Sequence, residues 1–113
     1  NSTYFSSFNK SKKQLYWNEV FQKIQTNLNA MKPMTGLLSY IKNRKVCIWD
    51  IKKLDKKLYG EYGQIVSFDD NKKIIVRCKD SLLKIESFLM FGRIIDSKEI
   101  TDNFQLKEGD KFK

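Results

Sequence analysis

The stretch Arg44–Leu54, RKVCIWDIKKL, places the strongest constraint on the fold of this chain. β-Branched and aromatic residues dominate its middle, and neither Gly nor Pro interrupts it, so the stretch predicts a β-strand. Alternation divides its apolar residues between two faces: Val46 and Ile48 on one, and Cys47, Trp49 and Ile51 on the other. Apolar neighbours on both faces predict a strand that runs through a small barrel, with Trp49 in the core.

Basic residues flank this apolar middle on both sides. Residues 42–57 carry seven basic and two acidic side chains, a net charge of +5, which is more than half of the formal +9 of the chain. Such a concentration of positive charge indicates an anionic partner, for which nucleic acid and an anionic membrane surface are the usual candidates. The alternative is a Lys-rich surface that only keeps the domain soluble.

The N-terminal third of the chain predicts an arm followed by a helix. Residues 1–16 are rich in Ser, Asn and Lys without a sustained period, which indicates a linker or extended arm. Residues 17–113 are predicted to form a single domain. It begins with an amphipathic helix over 18–32, for which Asn18 is the expected N-cap.

The rest of the domain, residues 36–113, predicts a barrel of about five or six short strands joined by hairpins. Lys42-Asn43 has the chemistry of one hairpin turn, and residues 69–71, Asp-Asp-Asn, that of another. Ser97 is the expected N-cap of a short helix near the C-terminus. This order predicts a mainly β fold, namely a small open Greek-key barrel that is OB-like, with a leading helix and a short helix near its end.

The sequence lacks the residue types and pairings that most enzymes use for catalysis. The chain has no histidine, no Ser or Cys with a base beside it, and carboxylates that are scattered on turns rather than paired, so no catalytic residues are predicted. Cys47 and Cys78 lack metal-ligand spacing and indicate small buried hydrophobes, although a disulfide between them stays open. No metal site is therefore expected.

The sequence also bears on location. No apolar run has the length of a membrane span, and the absence of a signal-peptide pattern favours a cytoplasmic protein. Asn1 is not a start methionine, so the chain is expected to be a fragment of a longer protein.

Several short motifs resemble one family in a shared order. STYF at Ser2–Phe5 precedes the helix, and NAMKPMTG at Asn29–Gly36 is similar to "RALNPWPG", with Met34-Thr35 in place of Trp-Pro. The matching pieces that follow are NRKVCIW at Asn43–Trp49, GQIVSFDDNKKIIVRCKDSLLKIE at Gly63–Glu86 and DSKEITDNFQLKEGDKF at Asp96–Phe112. Together these motifs resemble the C-terminal domain of methionyl-tRNA formyltransferase over nearly the whole chain.

The resemblance implies a non-catalytic domain that binds tRNA. In this reading the domain holds the acceptor arm through its phosphates, while a missing N-terminal domain of the same chain transfers formyl from 10-formyltetrahydrofolate. No cofactor is expected in the present domain, and no membrane partner. The predicted phosphate contacts are Lys42, Arg44, Lys45, Lys52, Lys53, Lys56, Lys57, Lys73 and Arg77.

A second function stays open at this point. Related C-terminal domains occur on formyltransferases that modify amino sugars on nucleotide carriers. The replacement of Trp-Pro by Met34-Thr35 favours this alternative, in which the domain is a structural or dimerisation module of a sugar-nucleotide N-formyltransferase.

Overall fold

Our computed structural model describes residues 14–31, 36–90 and 92–113. They form an antiparallel sheet of six strands with two helices beside it. The elements in chain order are α1 (Phe21–Met31), β1 (Leu37–Ile41), β2 (Arg44–Leu54), β3 (Ile65–Phe68), β4 (Ile74–Arg77), β5 (Leu82–Met90), β6 (Arg93–Asp96) and α2 (Ser97–Phe104). The predicted mainly β fold is confirmed, and β2 has the predicted bounds.

The strand order is β1-β2-β5-β4-β3, and β6 pairs with the C-terminal half of β5. The long strand β2 pairs with β1 through its first half and with β5 through its second half. Because the edge strands β1 and β3 do not pair with each other, the sheet is open.

The C-terminal segment, residues 109–113, lies between these two edges and hydrogen-bonds to both. On one side, Tyr40 and Lys113 exchange backbone hydrogen bonds of 3.0 and 2.8 Å. On the other side, the Phe112 N–H donates to the Gly63 carbonyl at 2.7 Å. We call residues 109–113 the C-terminal seam, because they satisfy backbone groups that both edges would otherwise expose.

Irregular pairing around Asp50, with one extra residue in β2 and one in β5, changes which residues of β2 face the core. The pairing with β5 shifts register on either side of Asp50, so that Ile51 lies opposite the buried Ile85. Ile51 therefore packs against the same core as Ile48. The prediction that Ile51 shares a face with Trp49 is wrong, because one extra residue in a strand reverses the alternation beyond it. Trp49, expected in the core, is only partly buried.

The predicted leading helix is present, but its N-cap is not Asn18. The helix α1 begins at Phe21, since residues 17 and 18 form a turn in which the Glu19 N–H donates to the Tyr16 carbonyl at 3.2 Å. The Phe21 N–H donates instead to a carboxylate oxygen of Asp80 at 2.9 Å. Residue 32, the predicted end of the helix, lies outside the described residues.

The N-cap of α2 is Asp96 rather than the expected Ser97. The Asp96 carboxylate accepts a hydrogen bond of 2.9 Å from the Lys98 N–H, which is the usual geometry of an N-cap. The Ser97 hydroxyl is buried and accepts from the Ile74 N–H at 3.0 Å. Ser97 thus ties the helix to β4.

The predicted arm meets the domain beside β1. The Leu15 N–H donates to the Leu38 carbonyl at 2.8 Å, and the Leu15 side chain is buried in the main core. Residues 1–13 lie outside the described part of the chain, so the division into an arm over 1–16 and a domain over 17–113 stays a prediction.

Candidate nucleic-acid interface

The nine cations predicted to contact phosphates lie in three places on the domain. Lys42, Arg44 and Lys45 stand at the start of β2, and Lys52, Lys53, Lys56 and Lys57 stand at its end and in the loop that follows. Lys52 lies seven positions after Lys45, which corresponds to about 23 Å along β2. Lys73 and Arg77 lie at the two ends of β4.

The four lysines at the end of β2 form one exposed group. We call Lys52, Lys53, Lys56 and Lys57 the lysine cluster; all four are exposed. Among the residues that the structure describes, none of the four forms an ion pair. The ammonium of Lys53 lies near Asp80, whose pKa is held below its ordinary value mainly by the hydrogen bond from the Phe21 N–H and to a smaller extent by Lys53.

The loop that carries Lys56 and Lys57 rests on the outer face of the sheet. That face holds a small apolar cluster formed by Val66, Ile75 and Leu82, with Leu54 packed against it. The Tyr59 hydroxyl donates to the Val66 carbonyl at 2.9 Å and so fastens the loop to β3. The lysine cluster therefore extends from a strand end onto a loop that is attached to the sheet.

Lys42 holds the end of α2 in place. It lies with Asn43 in the turn between β1 and β2, where both residues have positive φ, as the predicted tight turn requires. Its ammonium donates to the carbonyls of Phe104 and Gln105 at 3.3 and 2.8 Å. These carbonyls end α2, so Lys42 satisfies free acceptors at the negative end of the helix dipole.

The two cations that follow Lys42 differ in their surroundings. The Arg44 guanidinium lies over the Phe104 ring, 4.9 Å from its centroid. Lys45 is exposed and lies opposite Tyr40 on the neighbouring strand. Of the three cations at the start of β2, Lys45 has its charge most available to a partner.

Lys73 is already surrounded by negative charge. Its ammonium lies 3.3 Å from a Glu86 carboxylate oxygen and 3.1 Å from one of Asp96, and the side chain is only 20% exposed. Burial lowers the pKa of Lys73, but the hydrogen bonds to Asp96 and Glu86 outweigh this effect, so the pKa is raised. Two carboxylates therefore neutralise this cation inside the domain.

Arg77 organises the loops around it. Its guanidinium donates to the carbonyl of Cys78 at 2.7 Å and to those of Gly60 and Lys79 at 3.3 Å each. The same guanidinium lies 5.3 Å from the ring centroid of Tyr62. Arg77 is thus held in one position beside an aromatic ring that is 46% exposed.

Sequence reasoning missed two cations of the C-terminal seam, Lys111 and Lys113. They flank the buried Phe112, so alternation places both on the outer surface. The Lys111 ammonium forms an ion pair of 2.7 Å with Glu61. The alternation in the terminal KFK could have predicted that both lysines face outward. That prediction requires the segment to lie against the sheet, which the sequence does not show.

The described residues bear on the sequence predictions for cysteines, metal ligands and membrane spans. Cys47 and Cys78 are free thiols; Cys78 is buried, whereas Cys47 is only partly buried. In the described ranges, no group of three or more His, Cys, Asp or Glu residues could hold a metal ion. No helix formed by them is long and apolar enough to cross a membrane.

Comparisons with known proteins agree on one family. Residues 8–105 match the family model described as "Formyl transferase, C-terminal domain". A methionyl-tRNA formyltransferase of Polynucleobacter asymbioticus is 26% identical over 86 residues, which cover 74% of this chain and 26% of that protein. The chain thus spans about a quarter of this curated relative.

A solved structure has the same fold at low sequence identity. The crystal structure of HypX from Aquifex aeolicus in complex with tetrahydrofolic acid superposes with a TM-score of 0.66 at 13% identity. The superposition covers 87% of this chain and 20% of HypX.

Proposed function

The chain belongs to the formyl transferase C-terminal domain family, and we propose that it is the tRNA-binding domain of a methionyl-tRNA formyltransferase. In this proposal the domain is not catalytic and works in the cytoplasm, in translation initiation. It holds the acceptor arm of the tRNA through phosphates, while an N-terminal catalytic domain of the same protein transfers the formyl group.

The lysine cluster is the observation that carries the proposal. Its four ammonium groups are exposed and, within the described residues, free of ion pairs, so they can exchange solvent and counterions for phosphates. Each phosphate that a protein neutralises releases condensed counterions, which gives affinity that is strong at low salt and falls as salt rises. Such contacts depend little on base sequence.

The surroundings of the other predicted cations divide them into two groups. Lys45 has an exposed charge and is a candidate for direct phosphate contact. Lys42 and Lys73 are engaged with acceptors of the domain itself, and the Arg44 and Arg77 guanidinium groups each lie against an aromatic ring. We propose that these four support the surface more than they neutralise phosphates.

In this proposal the donor of the formyl group binds to the catalytic domain and not to the present domain. The depressions around Lys73 and around Tyr62 are open and lined largely by charged side chains. Such surfaces do not enclose a ring system as cofactor pockets do, so they do not fit 10-formyltetrahydrofolate. The described residues contribute binding and orientation of the RNA.

The test is a titration of the domain with labelled tRNA at several salt concentrations. We expect affinity that falls steeply with salt, with a slope that corresponds to roughly three or more neutralised phosphates. Replacing Lys52, Lys53, Lys56 and Lys57 by Ser should weaken binding and flatten the slope. A matched variant that replaces Lys23, Lys72, Lys98 and Lys107 by Ser removes the same formal charge elsewhere and should bind more tightly than the cluster variant.

Two outcomes would contradict the proposal. Equal losses in both quadruple variants would mean that net charge, rather than the lysine cluster, attracts the RNA. Absence of tRNA binding at low salt, together with dimerisation of the longer protein through this domain, would favour the alternative module of a sugar-nucleotide N-formyltransferase.

A further inference from the structure

Three neighbouring segments of the sheet place Lys45, Tyr40 and Lys113 side by side. Tyr40 lies opposite Lys45 in the pairing of β1 with β2, and it exchanges backbone hydrogen bonds with Lys113 on its other side. Residues directly opposite each other on antiparallel strands share a face, with Cβ atoms about 5 Å apart. The Tyr40 side chain, which is 38% exposed, therefore stands between the side chains of Lys45 and Lys113 on the outer face.

A second exposed ring lies on the opposite side of the C-terminal seam. Tyr62 is 46% exposed and has the Arg77 guanidinium beside it, 5.3 Å from the ring centroid. Three backbone carbonyls hold that guanidinium, so the group against which the Tyr62 ring lies is fixed before any ligand arrives. A ring that rests on a fixed group loses less conformational freedom when a ligand stacks on it.

Lys111 connects these two places. It lines the depression that contains Tyr62 and Arg77, and also the depression that contains Tyr40 and Lys113. The outer face of the seam is thus a continuous strip in which two exposed tyrosines alternate with positive charges. Glu61, which pairs with Lys111, is the carboxylate that faces this strip near Tyr62.

We infer that the outer face of the C-terminal seam binds unpaired nucleotides of RNA, with Tyr62 and Tyr40 stacking on bases and Lys45, Lys111 and Lys113 contacting phosphates. This inference rests on the proposed function and adds to it a class of RNA structure. Cations alone would serve a duplex equally well. Exposed aromatic rings gain only from bases that are not already stacked in a helix, so the strip favours single-stranded RNA.

The experiment compares an oligouridylate of about twelve nucleotides, a length in the range of single-strand sites, with a blunt RNA duplex of equal length. Removing the ring in Tyr62→Ala should lower affinity for the single strand roughly 5- to 20-fold, while affinity for the duplex changes less than about 2-fold. Tyr62→Phe keeps the ring and should bind as the wild type does. Tyr40→Ala should show a loss of the same kind.

Tyr16→Ala is the matched control, because Tyr16 is 55% exposed but lines a different depression, next to Val20 and Lys79. This variant should bind both RNAs as the wild type does. If Tyr62→Ala fails to fold, the wild-type domain can still be tested with an abasic strand of the same length. Tighter binding of oligouridylate than of the abasic strand supports stacking, whereas equal binding overturns it.

Failure of this inference can be told apart from failure of the proposed function. If tRNA binds in a salt-dependent way through the lysine cluster while Tyr62→Ala binds the oligouridylate as the wild type does, only the single-strand site is wrong. If tRNA does not bind the wild-type domain even at low salt, the proposed function fails with it.

Discussion

The Phe21 N–H donates a hydrogen bond of 2.9 Å to the carboxylate of Asp80, a residue 59 positions away along the chain. The first N–H groups of a helix have no partner inside the helix, and an acidic side chain there also complements the helix dipole. Val20, which precedes α1, has no side-chain acceptor. The turn between β4 and β5 therefore supplies the cap that the local sequence lacks.

Removing this cap should destabilise the domain. We expect Asp80→Ala to lower the free energy of unfolding by about 1 kcal/mol, the usual effect of losing an N-cap, and Asp80→Asn to lower it less because the amide oxygen still accepts. Urea denaturation measures both variants. Asp55→Ala, an exposed aspartate in the loop after β2, is the control and should leave stability nearly unchanged. Equal stability of Asp80→Ala and the wild type would show that the contact contributes nothing.

Acid should weaken the domain in a defined range of pH. The carboxyl pKa values of Asp80 and Asp96 are lowered, mainly by hydrogen bonds from the N–H groups of Phe21 and Lys98. Burial alone would raise the pKa of Asp69, but hydrogen bonds from Lys73, Asn71 and Lys84 lower it overall. A lowered folded-state pKa stabilises the folded protein above the unfolded value, here near 3.8, and this contribution disappears as pH falls through the folded value.

The measurement for this prediction is thermal unfolding between pH 7 and pH 2.5. The melting temperature should be nearly constant down to about pH 5 and should fall below about pH 4. The variant D69N/D80N/D96N should show a flatter profile, because it lacks three of the groups that take up protons on unfolding. A triple variant with the same acid dependence as the wild type would assign that dependence to other carboxylates.

The central strand shows how far sequence reasoning reaches. The composition of Arg44–Leu54 and the turn chemistry of Lys42-Asn43 act between near neighbours, so the strand bounds and the first hairpin were predictable. The bulge near Asp50 was not, because it depends on the register with β5, more than thirty residues further along the chain. The Asp80 cap and the burial of the Ser97 hydroxyl were missed for the same reason.

The candidate site was predictable only in part. The lysine cluster is contiguous in sequence, so its positive charge is visible before folding. Lys73 was grouped with it because alternation places it on an outer face of β4. The sequence does not reveal that Glu86 and Asp96, from β5 and β6, reach the same place.

Lys73 should therefore matter for stability more than for RNA binding. In Lys73→Met the apolar part of the side chain remains, but Glu86 and Asp96 lose their shared cation. Both carboxylates are partly exposed, so water can take the place of the Lys73 ammonium. We therefore expect a loss of about 1 kcal/mol in the free energy of unfolding. The tRNA affinity at moderate salt should change less than about 2-fold, since a neutralised cation releases few counterions. A large loss of tRNA affinity in a folded Lys73→Met variant would restore Lys73 as a phosphate contact.

Two glycines test how closely the C-terminal seam packs. Gly63 and Gly109 both have positive φ, so Ala is strained at either position. A Cβ at Gly63 would lie 2.6 Å from the Phe112 carbonyl oxygen and 3.2 Å from the Trp17 ring, whereas a Cβ at Gly109 would meet nothing within 4 Å. We expect Gly109→Ala to destabilise the domain by about 1 kcal/mol and Gly63→Ala by clearly more, about 3 kcal/mol. Chemical denaturation of the pair measures the difference, and equal losses would mean that the seam can move away from β3.

The Glu61–Lys111 ion pair gives a test in which RNA affinity should rise. The pair is 2.7 Å long but exposed on both sides, so the hydrogen bond and charge of Lys111 lower the pKa of Glu61 without stabilising the fold much. In the wild type a phosphate must displace Glu61 to reach the Lys111 ammonium. In Glu61→Gln that competitor is gone, and the strip along the seam gains one unit of positive charge. Affinity for oligouridylate should rise about 2- to 5-fold at low salt, the salt slope should steepen by about one phosphate, and the gain should vanish at high salt. Asp70→Asn makes the same change of net charge at the other end of the β3–β4 hairpin and should raise affinity less. Equal gains in both variants would mean that the RNA responds to total charge, and that Lys111 does not lie on its path.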